Sequence, residues 1–93
     1  MPIRVNVPSA LQPFARGVRT VQLDHRGGTV RDALHSLALA HPGVVDRVLT
    51  EAGELREHVN VFVGEENCRF MGGLTAPVSD GDTLEVVASV SGG

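Results

Sequence analysis

The twelve residues Thr29–Ala40, TVRDALHSLALA, decide the fold of this 93-residue chain. Val30, Ala33, Leu34, Leu37 and Ala38 recur at helical spacing and form one apolar stripe. Thr29 is a suitable N-cap, and Asp32 three residues on resembles a capping box with the shorter acid. In His41-Pro42-Gly43 the proline cannot continue a helix. The pattern therefore predicts a single main helix over Val30 to Ala40.

Outward from the helix, the periodicity changes from helical to alternating. On the N-terminal side, Ile3, Val5 and Val7 alternate with Arg4 and Asn6, and Val18, Val21 and Leu23 mark a second strand. Ser9 to Gly17 reads as the loop of a hairpin, and Gly27-Gly28 reads as a break before the helix. On the C-terminal side, Val44 to Arg56 is mixed, with Val44, Val45, Val48 and Leu49 close enough for one helical turn. Val59, Val61 and Val63 restore strict alternation, and Gly64 to Asn67 reads as a turn before a short segment through Phe70. Gly72-Gly73, Pro77 and Ser79-Asp80-Gly81-Asp82 punctuate the approach to a last strand, Thr83 to Val90. The order strand, strand, helix, strand, short strand, strand points to an α+β domain. The expected architecture is a β-grasp (ubiquitin-like) fold, a mixed sheet of four to five strands wrapped around one main helix. Residues 1–90 are read as that domain and residues 91–93 as a flexible Gly-Gly tail.

Composition excludes several functions. The formal charge is -3, and no basic stripe is interleaved with aromatic residues, so nucleic acid is not the expected partner. No apolar run reaches the roughly 18 residues that a membrane helix needs, so no membrane partner is expected. One cysteine, Cys68, and an N-terminus that opens directly on a strand pattern point to a reducing, cytoplasmic setting.

Side-chain chemistry is equally scarce. His25, His35, His41 and His58 lack metal-ligand spacing, so no metal is expected. Cys68 has neither a CxxC partner nor a sequence neighbour that would activate it, and the acidic pairs Glu65-Glu66 and Asp80/Asp82 fall in turns. No catalytic residue is assigned and no bound cofactor is expected. The chain reads as something other than an enzyme.

The remaining feature is the end, Ser91-Gly92-Gly93. Two terminal glycines make a thin arm without a Cβ, able to enter a narrow channel, and leave the terminal carboxylate unhindered. The element order, the Asp80-Gly81-Asp82 turn and the ending Val90-Ser91-Gly92-Gly93 resemble the ThiS/MoaD family of ubiquitin-like sulfur carriers. Val59-Asn60-Val61-Phe62-Val63, Arg69-Phe70-Met71-Gly72-Gly73-Leu74 and the segment inserted after the helix are most like its CysO-type members of cysteine biosynthesis.

The resemblance implies that an E1-like (MoeB/ThiF-type) activating enzyme adenylates Gly93 with ATP and Mg²⁺. Sulfur then displaces AMP, and Ser91, Gly92 and Gly93 enter a sulfur-accepting biosynthetic enzyme as a thiocarboxylate tail. In CysO-type routes a metallopeptidase clips the returned product from the tail. A small subunit of a molybdopterin-synthase-like complex and a ubiquitin-like protein modifier are the alternatives. All eight basic residues are arginine, so no side-chain amine competes for the activated acyl group. Genome composition is the simpler account of that bias. Finally, alternation sets Phe62 and Val87 on the sheet face away from the helix, as candidates for docking a partner.

Overall fold

The N-terminal hairpin forms as β1 (Ile3–Asn6) and β2 (Thr20–Leu23), antiparallel, with Ile3 opposite Leu23 and Asn6 opposite Thr20. The computed structural model describes residues 2–24 and 27–88. Three further strands complete the sheet: β4 (Val59–Val63), β5 (Glu66–Asn67) and β7 (Thr83–Ala88), in the order β2-β1-β7-β4-β5. β1 runs parallel to β7, and every other pairing in this sheet is antiparallel. The last strand thus lies at the centre of a mixed five-stranded sheet, where both its neighbours hold it.

Helix α1 (Val30–Ala40) has the predicted bounds and packs across that sheet. Val30, Ala33, Leu34 and Leu37 are buried, and they meet Ile3, Val5, Val61, Leu84 and Val86 in one core. The capping box is complete: the Asp32 amide donates to Thr29 Oγ1 at 3.2 Å, and the Thr29 amide donates to Asp32 Oδ2 at 3.0 Å. Thr29→Ala removes the hydroxyl acceptor and should lower stability by about 1 kcal/mol. Calorimetry should show a melting point lower by roughly 4–8 °C. An unchanged melting point would mean that the box contributes nothing.

Several stretches differ from the expectation, each for a tertiary reason. Ser9–Ala15, expected as open loop, winds into 3₁₀ turns whose first amides, Leu11 and Gln12, donate to Pro8 O, and it buries Leu11 and Ala15. Strand β2 begins at Thr20, leaving Val18 39% exposed rather than paired. The mixed segment after the helix is a second helix, α2 (Pro42–Val48), and Val44, Val45 and Val48 join the core. Pro42 stops α1 yet starts α2, because a first-turn position needs no amide donor. The Arg47 guanidinium, held within α2 by a 3.0 Å bond to Gly43 O, stacks 3.4 Å above the Phe14 ring and so fastens α2 to the first loop.

Gly27-Gly28, read as a break, is strand β3 (Gly27–Thr29), paired with β6 (Pro77–Ser79) in a separate two-stranded ribbon. Gly27 has φ +111°, and a Cβ there would lie 3.1 Å from Val78 O. The approach of the two backbones therefore requires glycine. Glu66 and Asn67, expected in a turn, instead form the short edge strand β5 against Val63 and Phe62.

Candidate functional site

The expected site has two parts, the outer face of the sheet and the tail. On β4, Val59 and Val61 are buried, whereas Asn60 and Phe62 are half-buried on the opposite face. On β7, Leu84 and Val86 are buried, and Glu85 and Val87 are exposed, Val87 to 41%. Asn60 pairs with Val87 and Phe62 with Glu85, so Phe62 and Val87 are diagonal neighbours on one face. Phe62 is not among the residues packed against the core. Ser91, Gly92 and Gly93, and the end of the predicted strand at Ser89 and Val90, lie outside the described residues.

The surroundings of Asn60 add residues that sequence reasoning had not assigned to the site. Asn67 Oδ1 caps the 3₁₀ turn Cys68–Phe70 by accepting from the Arg69 amide at 3.0 Å, and Asn67 Nδ2 donates to Asn60 Oδ1 at 3.2 Å. Arg69 then reaches back: Nε donates to Asn60 Oδ1 at 2.9 Å, and Nη2 donates to Arg56 O at 2.7 Å and Val59 O at 2.8 Å. Arg56 holds the insertion likewise, with Nε on Leu49 O at 3.1 Å and Nη2 on Asp46 O at 2.9 Å. A planar fork with several fixed donors makes such bonds; one ammonium on a flexible stem does not. Arginine at these two positions thus has a structural role beyond composition bias. The clamped turn presents Phe70, which is 88% exposed. Its only sequence signal was an aromatic residue beside a turn, and nothing in its spacing showed which way it faces.

Cys68, the first residue of this turn, has no exposed surface. Burial pushes its thiol up from the ordinary value, against smaller opposing effects of a Val61 backbone hydrogen bond and the Arg69 charge. A thiol held neutral is a poor nucleophile. If the sulfur-carrier expectation raised by the resemblance holds, Cys68→Ala should accept sulfur at near the parent rate, while losing about 1 kcal/mol of stability, the order expected for a small buried deletion. A loss of rate beyond about tenfold, or 1.4 kcal/mol in barrier, with the fold intact would give Cys68 a chemical role.

Among the acidic turn residues Asp82 has structural work: its Oδ2 accepts from the Ser79 amide at 2.8 Å, closing the turn into β7. Among the described residues no group of three or more His, Cys, Asp or Glu side chains could hold a metal ion. No helix among them is long and apolar enough to cross a membrane.

A sheet of this order around a crossing helix, with the last strand central and a Gly-Gly end beyond it, defines a β-grasp, ubiquitin-like protein. The ThiS family model matches residues 5–93, and the chain belongs to that family. It is 30% identical to the sulfur carrier protein CysO of Mycobacterium tuberculosis over 95 residues, covering 100% of both chains. It is also 44% identical over 78 residues to small archaeal modifier protein 1 of Haloferax volcanii, covering 83% of this chain and 85% of that one. Among solved structures, the Amycolatopsis orientalis BexX/CysO complex contains a chain that superposes with TM-score 0.88 at 34% identity. That match covers 98% of this chain and 99% of the other.

Proposed function

We propose that this chain is a sulfur carrier whose reacting group is the Gly93 carboxylate. The observation that carries this reading is a family match running through residue 93, on a fold whose last described strand, β7, lies at the centre of the sheet. An E1-like activating enzyme of the MoeB/ThiF type, using ATP and Mg²⁺, joins the carboxylate to AMP and releases pyrophosphate. A sulfur donor at the oxidation level of sulfide attacks the acyl carbon, and AMP leaves with the C–O bonding pair. The resulting thiocarboxylate passes its sulfur to a biosynthetic enzyme, and water restores the carboxylate. In a CysO-type route a metallopeptidase performs that last hydrolysis.

No step asks this chain for a general acid, a base or a metal. Its contribution is a stable grip for its partners and an unhindered end. The test is incubation with an E1-like enzyme, ATP, Mg²⁺ and sulfide, followed by intact-protein mass spectrometry. Replacement of one oxygen by sulfur at the C-terminal peptide is the expected product; absence of that product with every active E1-like enzyme of the source cell would overturn the reading.

The 44% identity to a small archaeal modifier protein favours a second reading, attachment of Gly93 to lysines of target proteins. Isopeptide remnants of Gly92-Gly93 on cellular proteins would support it. The two readings share the adenylation step and part only at the nucleophile.

A further inference from the structure

Arg31, Arg69, Glu54, Leu55, Gly72 and Thr75 line an open cleft of about 400 Å³ on a chain whose formal charge is -3. Arg31 comes from the first turn of α1, Arg69 from the clamped 3₁₀ turn, and Glu54 and Leu55 from the inserted hairpin, where Leu49 bridges Leu55. The floor is the turn that starts at Gly72, which has φ +100°; a Cβ there would fall 2.8 Å from Thr75 Oγ1, so the turn keeps its shape only with glycine.

The charge in this cleft is not cancelled. Arg69 is fixed by bonds to amide and backbone oxygens, all neutral acceptors. Among the described residues, no carboxylate forms an ion pair with Arg69 or Arg31. Two guanidinium groups against the single Glu54 carboxylate leave a positive spot on an acidic protein. Its location matters as much as its sign. Val59, whose carbonyl Arg69 holds, is the partner of Ala88, the last described residue of β7. Five residues follow, which fully extended span at most about 17 Å. Any protein that admits those residues into a channel must come up against this end of the sheet. Asn60, which Arg69 also holds, pairs with Val87, so Arg69 ties the cleft to the strand pair that carries Phe62 and Val87.

We infer that the Arg31–Arg69 cleft receives an acidic segment of the activating enzyme, pairing its carboxylates with the two guanidinium groups as the tail is threaded. The inference rests on the sulfur-carrier reading and adds the chemistry of the contact. An open cleft suits side chains of a partner protein better than a small anion, which would keep most of its water. Glu54 opposes the approach of carboxylates and sets how strongly they are drawn in.

The experiment measures the affinity of the intact chain for the E1-like enzyme that thiocarboxylates it, at low and high salt. Arg31→Glu should weaken binding about tenfold near 0.05 M salt, and the difference should shrink to about twofold near 1 M, where the screening length is only about 3 Å. Glu54→Gln should tighten binding by about twofold at low salt, a gain that a purely structural role would not produce. Arg31 is exposed and makes no described bond, and an acid in the first turn of a helix is favourable, so Arg31→Glu should melt no lower than the parent. Arg31→Gln serves as the neutral control, with an intermediate effect. Equal affinities for the parent and Arg31→Glu at low salt would overturn the cleft while sulfur loading of the parent upheld the carrier reading. Competition by inorganic phosphate at millimolar concentration, with no difference between Arg31→Glu and parent for the enzyme, would make the cleft a free-anion site and overturn the inference too. Failure of every E1-like enzyme to load the parent is a failure of the carrier reading instead.

Discussion

A chain that lacks Gly93, or carries Gly92→Phe, should keep its melting point and gain no sulfur from an E1-like enzyme supplied with ATP, Mg²⁺ and sulfide. The two halves of that result have separate causes. The described residues of the hydrophobic cluster lie between Ile3 and Ala88, and Gly93 has no side chain to place in a core, so its removal should delete no side-chain packing and open no cavity. The chemistry, by contrast, needs the carboxyl carbon at one point relative to the nucleotide phosphate. Shortening the arm by one residue withdraws that carbon by about 3.5 Å, beyond bonding distance. A 1 Å misplacement of a reacting atom already costs about a hundredfold. Gly92→Phe leaves the length and adds a side chain where the channel must close around backbone. Intact-protein mass spectrometry reads both variants directly, and full thiocarboxylation of the truncated chain would exclude Gly93 as the acceptor.

Phe62→Ala should weaken binding to the activating enzyme by at least about 2 kcal/mol, roughly thirtyfold, while costing less than that in stability. The structure separates the two effects. A Phe within the core would cost about 3–5 kcal/mol on truncation. Phe62 instead stands half-buried on the outer face, across from Glu85 and diagonal to the 41%-exposed Val87. Its ring lies on a central pair of strands, so it is presented rigidly and loses little freedom when covered. Phe70, 88% exposed on the clamped turn, is a second aromatic available to the same partner. Isothermal titration and thermal melting together decide the matter. A stability loss near the core value with unchanged affinity would place the ring inside the fold and end its role in docking.

Much of the fold was legible because it depends on local rules. The bounds of α1 follow from a capping box at one end and Pro42 at the other, and both act within a single turn of backbone. The alternation of Val59, Val61 and Val63 fixed which face of β4 meets the helix, since a strand permits only two faces. The inward set Leu84 and Val86, and the outward Glu85 and Val87, follow in the same way.

Where the reading missed, the deciding partner was distant in sequence. Gly27-Gly28 looks like a break until Val78 approaches within van der Waals reach, fifty residues on, and makes it a strand. In the insertion, spacing allowed one helical turn for Val44, Val45, Val48 and Leu49, but only packing against the core shows a helix that begins at Pro42 and buries them. Phe70 and Arg69 gave no periodic signal, because a three-residue 3₁₀ turn has no period to read.

The sequence by itself determined the class of domain and the core helix, because caps and alternation are written in adjacent residues; the terminal Gly-Gly, equally local, is the feature on which the proposed chemistry rests. Tertiary structure alone decided that Arg69 reaches back to Asn60 and Val59, and that Arg31 and Arg69 line one cleft. Those groups lie in separate elements of the chain. Their meeting depends on how the helix, the insertion and the sheet pack together, and no spacing along the chain encodes that distance.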